Sequence, residues 1–403
     1  MRIQVLFTLV LSLLLGSCGV PDKKGESLEQ VIEESLAFAE RQSLKMAESL
    51  KDMPGRLPKS LTPAGELESC DPAWWVSGFF PGVLWYLYEN NPTDTLKEWA
   101  AHFSGRVENQ KYTTDNHDVG FIIFCSFGNG YRLTGDTLYR EVIRTASQSL
   151  VTRFNPLTGC IRSWDAAPWN SDWQYAVIID NMMNLELLEW SAKAFGDTTF
   201  SHVARTHANT TIRNHFREDF SSVHVVSYDT LTGNVQVKNT SQGYSDASAW
   251  ARGQAWGLYG FTMMYRETGD EAYLRQAEGI ADFILHHPNL PEDKIPYWDF
   301  NAPDIPHALR DASAGAIICS ALIELSGYVS PEKQKEYLDV AERQLRTLSS
   351  PAYRAEEGKN GNFLLMHGVG HMPNGTEVDV PLSYADYYYV EALMRMKKVL
   401  EKN

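Results

Sequence analysis

Cysteine is scarce in this chain, with 5 among 403 residues, and basic residues are outnumbered, 36 Lys and Arg against 51 Asp and Glu. Cys70, Cys125, Cys160 and Cys319 lie far apart, which excludes a dense disulfide framework and leaves no metal-type spacing. Cys125 and Cys319 sit inside apolar helical runs and read as core residues. No metal site and no cofactor is expected. The formal net charge of −15 argues against nucleic acid or an anionic membrane surface as partner. An acidic small molecule stays compatible, because one local arginine can hold a carboxylate inside a negative protein. Low-complexity tracts are missing, and no stretch alternates in the way a large sheet requires.

Apolar runs long enough to span a bilayer as a structural helix are also missing. The run from Val5 to Leu15 follows Arg2 and ends in Leu15-Gly16-Ser17-Cys18. Residues 1–18 therefore read as a lipoprotein-type signal peptide, with Cys18 as the lipidated first residue of the mature chain. An ordinary cleaved signal with Cys18 incidental is the competing reading. Residues 19–27 read as a tether, and the expected location is the periplasm, anchored to the membrane only through a lipid at Cys18.

What is present is helix. Leu28 to Leu50 is amphipathic, and further helical runs fall near 77–90, 94–104, 119–133, 137–154, 180–195, 199–217, 250–267, 271–287, 310–328, 331–348 and 383–400. The joints repeat. Tyr131-Arg132-Leu133-Thr134-Gly135-Asp136 returns as Tyr265-Arg266-Glu267-Thr268-Gly269-Asp270, with a looser copy at Phe195-Gly196-Asp197. Glycine ends one helix, aspartate caps the next, and Tyr139, Phe200 or Tyr273 follows three residues later. Repeated hairpins at long period mean a helical array, and six pairs suggest an all-α (α/α)6 barrel as one domain over 28–403. Periodicity alone does not separate a ring from an open solenoid. The longer connections, 155–179, 218–249, 288–309 and 349–382, are rich in Trp, Gly, Pro and Asn and should crowd one rim, where sites are usually built. Val223 to Val237 reads as a small hairpin of strands.

Asp180 follows the apolar run Ala176 to Ile179 and shares a helical face with Met183, Asn184, Leu187 and Leu188. An inward carboxyl is disfavoured in its charged form, which suits a proton donor at neutral pH. Capping of a helix N-terminus is the competing role. Asp118, after His117, opens the next apolar helix toward the N-terminus, and there a capping box with Asp115 competes. Two carboxyls at one rim are the minimum for glycosidic chemistry by proton transfer. Trp74, Trp75, Trp164, Trp169, Trp173, Trp250, Trp256 and Trp298 cluster at helix starts or in long loops, where indole faces suit sugar rings. Arg252 and Trp256 share a helical face, and Arg252 either clamps a carboxylate bidentately or pairs with Asp246 or another acid. His224 is either a site residue or a satisfied strand histidine.

His117-Asp118-Val-Gly-Phe, Asp180-Asn-Met-Met-Asn, Gln242-Gly-Tyr-Ser-Asp, Trp250-Ala-Arg-Gly-Gln-Ala-Trp256 and the run from Glu377 to Leu393 together resemble the unsaturated glucuronyl hydrolases, glycoside hydrolase family 88. The resemblance runs in order from about Trp74 to the end. It implies an (α/α)6 barrel that removes a 4,5-unsaturated uronic acid from the non-reducing end of lyase-generated oligosaccharides, most plausibly disaccharides of the glycosaminoglycan type. It implies Asp180 as acid and then base, with Asp118 tuning it. His117, His224, Ser241, Gln242, Arg252, Trp256, Trp74, Trp75 and Trp164 would contact substrate. Ser241 departs from the pattern, because some relatives carry His at that position. The loop His367 to Thr376 lacks a Ser- and Lys-rich sulfate-binding pattern of some members. The related unsaturated rhamnogalacturonyl hydrolases and a non-catalytic oligosaccharide-binding lipoprotein are the alternatives.

Overall fold

A computed structural model describes residues 25–402. The signal segment, Cys18 and most of the tether lie outside the described residues. Among the described residues twelve α-helices occur in chain order: α1 (Leu28–Leu50), α2 (Phe79–Asn90), α3 (Asp94–Val107), α4 (Asn129–Thr134), α5 (Thr137–Val151), α6 (Leu185–Phe195), α7 (Thr198–His215), α8 (Ala251–Thr268), α9 (Glu271–His286), α10 (Ala312–Leu325), α11 (Pro331–Leu348) and α12 (Ser383–Leu400). A π-helical stretch, Gly120–Gly128, runs into α4, and a 3-10 turn, Ile179–Asn184, runs into α6.

The helices form two concentric rings. Helices α8, α10 and α12 are buried on nearly every face, whereas α3, α5, α9 and α11 bury one stripe and expose the other. Going round the inner ring, α2 touches the π stretch, that stretch touches α6, and α6, α8, α10 and α12 follow in turn. α12 then packs against α2. The ring is closed, so the (α/α)6 barrel expected from the repeats is the architecture.

The repeated joints do what their chemistry requires. Gly135, Gly196 and Gly269 take φ of 67°, 70° and 67°, left-handed values that end their helices at little steric cost. Asp136, Asp197 and Asp270 each accept from the backbone N–H two residues on, at 2.9, 3.0 and 2.9 Å. The aromatics that follow plug the hairpins: Tyr139 packs on Phe127 and Trp85, and Tyr273 on Phe261. Arg266 of α8 binds Glu186 of α6 and Glu324 of α10, and Arg395 of α12 reaches Glu324 at 2.8 Å. These partly buried pairs tie four consecutive inner helices.

The strands are short: β1 (Leu57–Leu61), β2 (Leu67–Cys70), β3 (Phe154–Asn155), β4 (Cys160–Ile161), β5 (Ala176–Ile178), β6 (Val225–Tyr228), β7 (Val235–Asn239), β8 (Gly368–His371) and β9 (Thr376–Val380). The hairpin expected within 223–237 is β6–β7, and β5 adds to it as a third antiparallel strand. That strand carries the chain straight into the turn that holds Asp180.

Candidate active site

Both aspartates sit where regular helix gives way to another winding. Asp180 lies in the 3-10 turn, whose six residues are all buried. No side chain caps α6, so the capping role for Asp180 is not the one it plays. Asp118 stands two residues before the π stretch, and neither it nor Asp115 supplies a side-chain cap. Single π turns inside helices often mark functional positions. The two turns meet. A Cβ on Gly120 would come within 2.5 Å of the Asn184 amide oxygen and 2.6 Å of its Cα. The Phe121 N–H donates to that oxygen at 2.9 Å. On the other side, a Cβ on Gly260 of α8 would fall 2.5 Å from Met182 Cβ. Glycine is needed at both positions for backbones to approach this closely.

Burial pushes the Asp118 carboxyl up to about 8, with the Asp180 charge adding to the rise. Burial also raises Asp180, to about 6, while the Arg252 guanidinium and the Trp256 indole N–H draw it back. The two carboxyls feel each other's charge, so they titrate as a pair and hold about one proton near neutrality. A shared proton between unlike environments is how two carboxyls take different parts in catalysis.

Each carboxyl has a buried histidine beside it. His117 Nε2 is 3.4 Å from Asp118 Oδ1, and His224 Nε2 is 3.8 Å from Asp180 Oδ2. Burial keeps both rings neutral, His117 pushed down to about 3 and His224 well below its ordinary value. The His224 ring lies 4.5 Å from the Trp250 ring. Ser241 and Gln242 reach it through their main-chain N–H groups, and Gln242 donates its side-chain amide to the Gly370 carbonyl at 2.9 Å.

Arg252 shows one of the two roles open to it. Its terminal nitrogens are already committed, to Asp311 at 3.3 Å and to the carbonyls of Val369 and Gly370. The side chain is 1 % exposed and lies against the rings of Trp250 and Tyr384. Of its two competing roles the salt bridge is formed, with Asp311 rather than Asp246, and its Nε–H keeps no partner. Asp246 instead accepts from the Thr240 N–H and the Asn239 amide. Arg252 thus ties β8 to α8 and lends positive charge to Asp180.

The tryptophans divide. Trp250, Trp256 and Trp298 are buried, so they pack rather than offer a face to solvent. Trp256 lies against Phe121 and Tyr388 with its Nε1 aimed at Asp180. Trp75 is half-buried on Phe121 and Tyr384, while Trp74 is exposed with the Lys59 ammonium 5.4 Å from its ring. Trp164 stacks on Trp173 at 5.8 Å, with exposed Trp169 edge-on, and Asn116 bridges to Trp164. That bridge joins this aromatic group to the segment leading into Asp118.

Three residues escaped the sequence reading. Asp311 looked like any helix cap, which it is, accepting from the Ser313 N–H while its other oxygen takes Arg252. Asn184 looked like one more polar residue on a helix face. Glu377, at φ 53°, carries a buried carboxyl raised by burial, near Lys59 and Arg252. Asn184 and Glu377 stand in stretches that carry the resemblance, but their partners lie far along the chain, so their contacts could not be read locally.

A family model for glycosyl hydrolase family 88 matches residues 47–399. The chain belongs to that family. An unsaturated glucuronyl hydrolase of Formosa agariphila is 43% identical over 407 aligned residues, spanning 100% of both chains. Among solved structures, an unsaturated glucuronyl hydrolase specific for heparin superposes with a TM-score of 0.89 at 46% identity, covering 93% of this chain and 98% of that one. A Streptococcus agalactiae unsaturated glucuronyl hydrolase mutant complexed with dGlcA-GalNAc6S superposes with a TM-score of 0.76 at 30% identity, covering 92% of each. As a member of family 88, this chain is a glycoside hydrolase, and the closed helical barrel is the scaffold it shares with these structures.

Proposed function

We propose that this hydrolase removes a 4,5-unsaturated uronic acid from the non-reducing end of lyase-generated oligosaccharides by hydrating the C4=C5 enol ether. The observation that carries the reading is the Asp180 carboxyl, buried in a turn and raised to about 6, beside a second carboxyl raised further still. Protonated Asp180 delivers its proton to C4, and positive charge develops at C5 and the ring oxygen. Water adds at C5 while the Asp180 carboxylate takes the water proton, which restores the acid. The hemiketal so formed opens, and the glycosidic bond breaks without further help. One group alternating between acid and base is efficient when its pKa lies near working pH.

Neutral Asp118 holds the water or a sugar hydroxyl while limiting charge next to Asp180. Trp74 and the Trp164 group would receive the following sugar. The favoured substrates are disaccharides of the glycosaminoglycan type, because the relatives include one specific for heparin and one complexed with dGlcA-GalNAc6S. A lipid at Cys18 would place the enzyme on a periplasmic membrane face.

Loss of 4,5-ene absorbance on incubation with lyase-generated heparin, chondroitin and pectin products tests the reaction and its substrate class. Asp180→Asn should lower turnover at least about 10³-fold with the fold intact. Wild-type kcat/KM should fall as pH rises through about 6, where the acid is lost. Full activity of Asp180→Asn, or a profile flat from pH 5 to 8, would overturn this assignment.

A further inference from the structure

We propose that His224 is a positioning residue for Asp180: an imidazole locked in its Nε2–H tautomer, whose one donor takes Asp180 Oδ2 and leaves Oδ1 to reach the sugar. The inference rests on the reading of Asp180 as the acid and goes further, to what orients it.

The tautomer is set by the main chain. His224 Nδ1 receives two backbone N–H groups, from Ser241 at 3.1 Å and Gln242 at 3.2 Å. A nitrogen accepting from two donors carries no proton of its own, so the ring proton sits on Nε2. Full protonation would set an N–H against both of those donors. The charged and titratable groups facing the ring, Arg252, His371, His215 and His117, add to burial in opposing a positive charge there. Stacking on Trp250 fixes the plane.

What remains on the ring is one donor without a partner, facing an Asp180 oxygen that also has none; the Trp256 Nε1–H is a second such donor beside the same carboxyl. Neither His224 Nε2 nor Asp180 Oδ2 has a hydrogen-bond partner, and both atoms are buried. Their separation of 3.8 Å exceeds a hydrogen bond by less than 1 Å. Catalytic hydrogen bonds in empty sites are often long and tighten when substrate fills the site. The contact also acts in the useful direction. A neutral N–H binds a carboxylate more strongly than a carboxylic acid, so it favours Asp180 as the proton leaves for C4 and relaxes once the proton returns. His224 itself cannot be the acid, because it carries no ionisable proton in the working range. Position 241 enters through its main-chain N–H, which any residue but proline supplies, so Ser241 in place of the histidine of some relatives leaves the device intact.

Two variants and one spectrum test this. His224→Gln keeps an N–H near the Nε2 position, and His224→Leu keeps bulk without a donor. With an unsaturated heparin disaccharide, His224→Leu should lower kcat about 10- to 100-fold with KM within about twofold. Its alkaline limb should move up by about one pH unit, because the ionised Asp180 has lost a donor. His224→Gln should recover most of both. An alkaline limb unmoved in His224→Leu, or a glutamine variant no better than leucine, overturns the proposal. Should the leucine variant fail to fold, the glutamine variant and the spectrum decide. In the ¹⁵N spectrum of histidine-labelled wild type without substrate at pH 6–7, His224 should show a protonated Nε2 and a bare Nδ1. An Nδ1–H tautomer or an imidazolium refutes it. This readout needs no turnover, so it separates failure of the tautomer from failure of the hydration chemistry, which Asp180→Asn reports.

Discussion

Replacing Asp118 by asparagine should make the protein more stable and less active, with the stability gain appearing only as pH rises. The Asp118 carboxyl, 15% exposed, is raised from 3.8 to about 8. The folded chain therefore binds a proton between those values that the unfolded chain has given up. Stability then falls as pH climbs from the unfolded value toward the folded one. Roughly four pH units at about 1.4 kcal/mol each set a ceiling of about 5–6 kcal/mol. Coupling to Asp180 and residual water reduce this to about 2–3 kcal/mol at pH 8. Asparagine has the same shape and never ionises, so it escapes the penalty. In a barrel of this size that gain corresponds to about 3–5 °C in Tm. Thermal melts of both proteins at pH 4.5 and pH 8 decide the matter. The curves should nearly coincide at the lower pH and separate at the higher. A gap independent of pH, or a variant less stable at pH 8, would show that the carboxyl is not held neutral by its surroundings.

Two further substitutions probe the frame around the pair. Gly120→Ala sets a methyl 2.5 Å from the Asn184 amide oxygen; it should cost about 2–4 kcal/mol and separate the turns of Asp118 and Asp180, seen as a lower denaturation midpoint with kcat falling about 10²-fold or more. Asp311→Ala leaves the buried Arg252 cation without its acid, and should cost about 3–5 kcal/mol by urea unfolding, with protease nicking first between β8 and β9. Near-native behaviour of either variant would count against the packing argument behind it.

The helices and their order were legible in the sequence because each joint announces itself. Gly135, Gly196 and Gly269 stop helices by backbone freedom, and the aspartate after each begins the next, all within a few residues. Ring closure was not legible, since it depends on α12 meeting α2 across the length of the chain. The carboxyls stood out as inward acids between apolar runs, but their windings did not. A helical count places Asp180 on a regular face, whereas Ile179 to Asn184 wind as a 3-10 turn fed by a strand. The partners of Arg252 were hidden for a similar reason. Its acid, Asp311, is 59 positions away and its carbonyl partner at Gly370 is 118 away, so nothing nearby revealed which acid it pairs with.

The sixth hairpin of the barrel joins the first described helix to the last, α1 lying outside α12. Gln42 of α1 reaches the carbonyls of Lys359 and Phe363, and Lys45 pairs with Glu357. Five hairpins can assemble from neighbours in sequence, but the gap between α10 and α2 stays open until α12 docks. Until then the inward faces of those two helices are bare. A version permuted to begin at residue 383, with its old ends joined, would move the closing contact to α10 meeting α12 rather than remove it.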